Sequence, residues 1–195
     1  PIKTRDGKAI TLKSLLDEAE ERAEALMIEM GLDRKLIAEL KPTIGIGAVK
    51  YADLSQNRTS NYQFDFDKMV ALTGNCCPYL QYQHARVCSV FRKGEVDERK
   101  LRGPIRIEHD AERSLALRLL RFGEVVHQAV EQSLPHFISD HLYGLARDYA
   151  SFYDACPILK AEGETQASRL ALAALTARQL RRGLGLLGIH APDRM

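Results

Sequence analysis

The sequence predicts a mainly α-helical chain, a helical bundle over its second part preceded by a small α-rich region with one or two short strands. Three observations carry this. Past residue 78, apolar residues recur every three or four positions through successive stretches, the period of a helix with one buried face. Strict alternation is confined to two short segments, residues 8–12 and 62–66. Proline and glycine fall mostly at the ends of the periodic stretches, where helices start and stop. The chain has 195 residues, 45% hydrophobic and 28% charged. At about 150 residues per domain that allows one core with an appendage, and the composition excludes disordered and collagenous classes. No apolar run approaches the ~20 residues that span a bilayer, and PIKTRDGKAI lacks the basic-then-apolar pattern of a secretory signal. The expectation is a cytoplasmic protein with no membrane partner.

Ser14-Leu15-Leu16-Asp17 opens an apolar-periodic run through Met30 and reads as a capping box with Asp in place of Glu, and Gly31 stops it. A short helix over 33–40 is expected to end near Pro42, after which Thr43 caps another through Ala48, Val49, Tyr51 and Leu54, weakened by Gly45 and Gly47. Pro78 suits the start of a helix over 79–92, and the polar stretch 93–103 reads as a loop. Leu115, Leu119, Phe122, Val126 and Val130 form one helical stripe. Phe137, Leu142, Leu145, Tyr149 and Phe152 form the next, which begins near Ser133 and Pro135 and ends before Pro157. The last helix spans 166–187, with Leu170, Leu175, Leu180, Leu184 and Leu187 inward and Gly188 as C-terminal cap. Four helices with short connections make a bundle. No internal repeat is present.

The net charge is only +2, but it is unevenly spread. Residues 14–40 hold eight acidic side chains against three basic ones, whereas 85–106 hold seven basic against three acidic, so an anionic partner would land on the latter. Cys76, Cys77, Cys88 and Cys156 show no CxxC spacing and read as free thiols. Gly45-Ile46-Gly47 starts like a dinucleotide fingerprint, but Lys50 stands where the third glycine belongs and no strand precedes it. His84 and Cys88 lie one helical turn apart and could share a metal with Cys76 or Cys77. A lone pair of this kind arises readily by chance, so no metal site is expected. Asp65 and Asp67 are too few oxygen ligands for a hard cation and read as solvated carboxylates.

The literal string carries the reading further. GAVKYADLSQNRTSNY, followed by Phe64-Asp65-Phe66-Asp67-Lys68-Met69, Gly74-Asn75, Pro78-Tyr79-Leu80-Gln81-Tyr82 and Ala85-Arg86, closely resembles the arginyl-tRNA synthetases. The likeness continues through Phe152-Tyr153-Asp154-Ala155-Cys156-Pro157 and Ser168-Arg169-Leu170-Ala171-Leu172 to Pro192, Arg194 and Met195. These are class I enzymes with an early HIGH-like signature and a late KMSKS-like loop. No HIGH-like string occurs here, and Pro1 to Gly7 looks like a degenerate form of the late loop, so the chain looks like the C-terminal portion of a longer enzyme.

The resemblance implies that residues 1–75 end the catalytic domain, with the loop and connecting helices, and that 76–195 form a DALR-type anticodon-binding bundle. It implies arginine, ATP with Mg2+ and tRNA(Arg) as partners of a monomeric arginine–tRNA ligase, with no cofactor bound to this portion alone. Lys3 and Arg5 become candidates for stabilising charge on departing pyrophosphate, a duty performed mainly in the transition state. Tyr79, Gln81, Tyr82, His84 and Arg86, then Arg92 and Lys93, combine stacking, edge hydrogen bonding and charge, which a single-stranded loop requires. Tyr153 and Met195 are implicated by the resemblance in holding the anticodon loop. The alternative is a non-catalytic helical module binding tRNA or a protein, from which the KTRDG and AVKYADLSQNR strings distinguish the ligase reading.

Overall fold

A computed structural model describes residues 11–60, 65–101 and 103–195 of the chain. Helix α1 (Leu12–Glu29) begins one turn earlier than the sequence implies. Thr11 is its cap, its Oγ1 accepting from the Ser14 amide at 3.1 Å, so Ser14 lies inside the first turn. Asp33 caps α2 (Arg34–Leu54), its Oδ1 accepting from the Lys35 and Leu36 amides.

The expected interruption at Pro42 does not occur, and α2 runs through it. Proline removes one helical hydrogen bond, but Ile37, Leu40, Ile44, Ala48 and Tyr51 stay on one buried face across it, and their packing offsets the defect. Nor do the glycines merely weaken the helix. α1 and α2 pair antiparallel, and a Cβ on Gly45 would stand 2.7 Å from the Glu20 Cα, so the missing side chain lets the two backbones touch. Ala23, Met27, Ile37, Leu40 and Ile44 fill the seam beside that contact, and Lys41 Nζ reaches Glu24 at 2.6 Å across it.

After α3 (Phe66–Met69) the bundle comprises α4 (Cys77–Lys93), α5 (Asp110–Leu120), α6 (Phe122–Gln132), α7 (His136–Ala155) and α8 (Gly163–Leu186). α7 touches α4, α5, α6 and α8, and small residues on α8 (Ala173, Ala174, Ala177, Gly183) allow close approach. At Gly183 an added Cβ would fall 2.5 Å from Leu142 Cδ2. The single stripe expected from Leu115 to Val130 is two helices, broken at Arg121. The break resets the helical phase, so Val125 and Ala129 are buried in α6 while Val130 is exposed.

Among the described residues there is no strand. Leu12 and Phe66, at the ends of the two alternating segments, start helices, and residues 8–10 and 62–64 lie outside the described residues. No helix among the described residues is long and apolar enough to cross a membrane.

Gly188 ends α8 as expected, with φ +69° and the Ile189 amide bonded to the Leu184 carbonyl. The tail then packs across α4, and Met195 reaches the apolar seam of α1 and α2.

Candidate nucleic-acid interface

Pro78 in the first turn of α4 supplies a pre-set φ and spares an amide that would have no partner, and Arg92 and Lys93 lie in the last turn, where their charge suits the carbonyl end of the dipole. Between them the helix is nearly surrounded. α2, α7, α8 and the tail all pack on it, burying Gln81, Gln83 and His84 and leaving Tyr79, Tyr82, Arg86 and Ser89 partly exposed.

Gln81 and His84 are fully buried, which corrects the expectation that they present hydrogen-bonding edges at the surface. Gln81 Nε2 donates to the His190 carbonyl at 2.8 Å, and His84 Nδ1 lies 2.9 Å from the Pro192 carbonyl. The cause is the tail, which the sequence alone cannot place: its carbonyls need donors, and α4 supplies them from inside. Burial lowers the His84 pKa, with the Pro192 contact opposing, so the ring is neutral and its Nδ1 carries the proton. Arg92 extends the clasp from the exposed end, donating to the Asp193 carbonyl at 2.7 Å. Met195 is half-buried against the α1–α2 seam.

The remaining α4 candidates share one face. Tyr79, Tyr82 and Arg86 follow spacing of three and four residues and are all partly exposed. Tyr79 packs edge-on to Tyr143 of α7, ring centres 6.0 Å apart, and the Arg147 guanidinium lies 5.8 Å from the Tyr143 ring. Two turns of α4 further on, Arg86 stacks on Tyr153 at 4.1 Å and meets Asp154 at 3.1 Å. Tyr149, fully buried, contacts the Tyr153 ring from below and fixes its height. The face thus alternates aromatic rings with guanidinium planes, both of which offer flat surfaces to an unstacked base.

Tyr143 and Arg147 escape sequence reasoning because α7 reads there only as a buried stripe. The available signal was their spacing, one turn apart on the side opposite Leu145. Lys3 and Arg5 lie outside the described residues.

The AVKY string acts as a brace beside this face. Lys50 Nζ donates to the Gly188 carbonyl at 2.8 Å, and the buried Tyr51 hydroxyl lies 2.6 Å from Asn75 Oδ1 and 3.1 Å from the Ser139 carbonyl. These contacts join α2 to the turn after α8, to the segment before α4 and to α7. The string therefore has a packing duty within this chain as well as any duty to a catalytic body.

A helical bundle clasped by its own tail defines a class, and residues 80–195 match the family described as DALR anticodon binding domain, while residues 1–66 match tRNA synthetases class I (R), catalytic domain. The relatives then narrow it: the chain belongs to the arginyl-tRNA synthetases and corresponds to their C-terminal region. It is 49% identical over its whole length to the arginine–tRNA ligase of Alcanivorax borkumensis and 48% identical to that of Thermobifida fusca, covering 34% of each. It superposes on Thermus thermophilus arginyl-tRNA synthetase with a TM-score of 0.88 at 31% identity, over 97% of this chain and 33% of that one. Against the Plasmodium falciparum arginyl-tRNA synthetase the values are 0.85 and 28%, over 95% and 34%. The chain spans about a third of the length of the curated relatives it matches.

Proposed function

We propose that this chain binds tRNA(Arg), anticodon loop included, through the face shared by α4 and α7, and that the whole protein is a monomeric, cytoplasmic arginine–tRNA ligase using ATP with Mg2+. The observation that carries the reading is the run of partly exposed Tyr79, Tyr82, Tyr143 and Tyr153 interleaved with Arg86 and Arg147. Bases splayed from a loop stack on the rings, and the guanidinium groups and Arg92 and Lys93 neutralise phosphates. Gln81 and His84 serve indirectly by holding the tail that closes the domain beside this face. Lys3 and Arg5, in the loop resembling KMSKS, act on the pyrophosphate leaving during arginine activation. ATP, arginine and the acceptor end would be held mainly by parts of the enzyme that this chain does not contain.

Titration of labelled arginine tRNA at several salt concentrations tests the binding reading. Affinity should fall with salt, with a log–log slope of about −0.7 per phosphate neutralised in single-stranded regions. Arg92→Ala or Arg86→Ala should flatten that slope. Tyr82→Ala or Tyr153→Ala should cost about 1–3 kcal/mol per lost stack with little change of slope. Binding that none of these substitutions alters would place the tRNA elsewhere on the bundle.

A further inference from the structure

We propose that His84, Cys88 and Asp193 form a binding site for a zinc ion that pins the C-terminal tail to α4. The pair on α4 is too small a ligand set by itself. Folding adds a third, because the tail brings Asp193 beside them: Cys88 Sγ stands 3.7 Å from His84 Nε2 and 3.6 Å from Asp193 Oδ1. The three ligand atoms all lie within 4.8 Å of one another. Tetrahedral zinc holds thiolate at about 2.3 Å, imidazole at about 2.0–2.1 Å and carboxylate at about 2.0–2.2 Å, so its S···N and S···O edges measure about 3.5–3.6 Å. Both distances lie within about 0.2 Å of these values.

The surroundings suit an ion. The Pro192 carbonyl can only accept, so His84 Nδ1 bears the proton and the Nε2 lone pair is left without it. Cys88 Sγ, 3.7 Å from Nε2 and 3.9 Å from Nδ1, lies to one side of that lone pair, and a turn of the Cys88 side chain must bring it to the metal. A ligating histidine whose other N–H is held by a carbonyl is the usual second support of zinc sites. The anchor of Asp193 is also fixed, by Arg92 on its own carbonyl and His84 on the one before it. Its carboxylate is exposed and, with Cys88, lines an open cavity beside Phe91, Glu98 and Arg181. That opening gives the ion a route in and a fourth position for water.

Arg181 is the competitor, its Nη2 lying 3.4 Å from Asp193 Oδ1. It also lies 3.5 Å from Glu98 Oε2, so it keeps a carboxylate when the metal takes Asp193. A set of one thiolate, one imidazole and one carboxylate favours zinc over magnesium or calcium, which prefer all-oxygen shells. Binding releases the Cys88 thiol proton to solvent, because the ion is held by the thiolate.

The test uses the 195-residue chain, reduced with a phosphine and dialysed against Zn2+ or Co2+. One equivalent of zinc should be retained, and the cobalt form should show thiolate-to-metal charge transfer with the intense visible bands of a tetrahedral site. Cys88→Ser should abolish the charge-transfer band. Asp193→Asn, on an exposed side chain that does not endanger folding, should weaken affinity about 10- to 100-fold. Failure to retain stoichiometric zinc, or a cobalt spectrum that neither substitution changes, overturns the proposal.

Discussion

Gly45 offers a test in which sequence propensity and tertiary packing demand opposite signs. In isolation Gly45→Ala should favour α2 by about 1 kcal/mol, the helix-propensity difference between the two residues. In the fold the new methyl would stand 2.7 Å from Glu20 Cα, 2.8 Å from Glu20 N and 2.9 Å from the Ala19 carbonyl carbon. All three are backbone atoms of α1, which cannot swing aside as a side-chain tip does. Restoring ordinary contact requires the helices to part by about 0.7 Å, which loosens Ala23, Met27 and Ile44 in the seam. Overpacking of this kind costs about 1–3 kcal/mol, and an immovable obstacle belongs at the upper end, so the net loss is about 2 kcal/mol. For a chain of this size that lowers Tm by about 4–8 °C. Gly123→Ala is the control, because nothing lies within 4 Å of its Cβ position in α6, and it should stabilise by about 0.4–1 kcal/mol. Thermal and urea unfolding of both variants decide the matter. Gly45→Ala as stable as the parent would show that the α1–α2 contact is looser than described.

His141, buried between α7 and α8 with its pKa lowered by burial and by Arg118 and Arg121, resists protonation in the folded state. The unfolded chain therefore binds the extra proton first, so stability should fall as pH drops below about 6.5 and level off below the folded pKa. His141→Gln should show a flatter Tm profile over that window. The four cysteines are unpaired and buried, with burial raising each thiol pKa. A thiol reagent should react slowly with the native chain and label all four on denaturation without prior reduction, whereas fewer than four would reveal a bond or modification. On the proposed function, the chain alone should not catalyse arginine-dependent exchange of pyrophosphate into ATP, because it spans about a third of its relatives' length and a single loop resembling KMSKS would not both orient the reactants and stabilise the leaving charge. Exchange by the purified chain above background would overturn that part of the proposed function.

Helical period, the proline at the start of α4 and Gly188 at the end of α8 were legible in the sequence because each acts within a few residues of itself. The AVKYADLSQNR, PYLQY and FYDACP strings likewise carried the family without a structure. What lay beyond the sequence depends on partners far along the chain. Pro42 sits inside α2 because α1 rewards an unbroken face, a term larger than one lost hydrogen bond. The buried positions of α6 shift to Val125 and Ala129 because the turn at Arg121 rotates the helix relative to α7. Gln81 and His84 look like surface hydrogen bonders until the tail, more than a hundred residues away, covers them and accepts their hydrogen bonds. The same tail brings Asp193 to Cys88, while the packing of α7 on α4 sets Tyr143 beside Tyr79. Periodicity records that a residue lies on a face, but only the neighbour that covers or spares that face decides whether a polar side chain holds the fold together or meets a ligand.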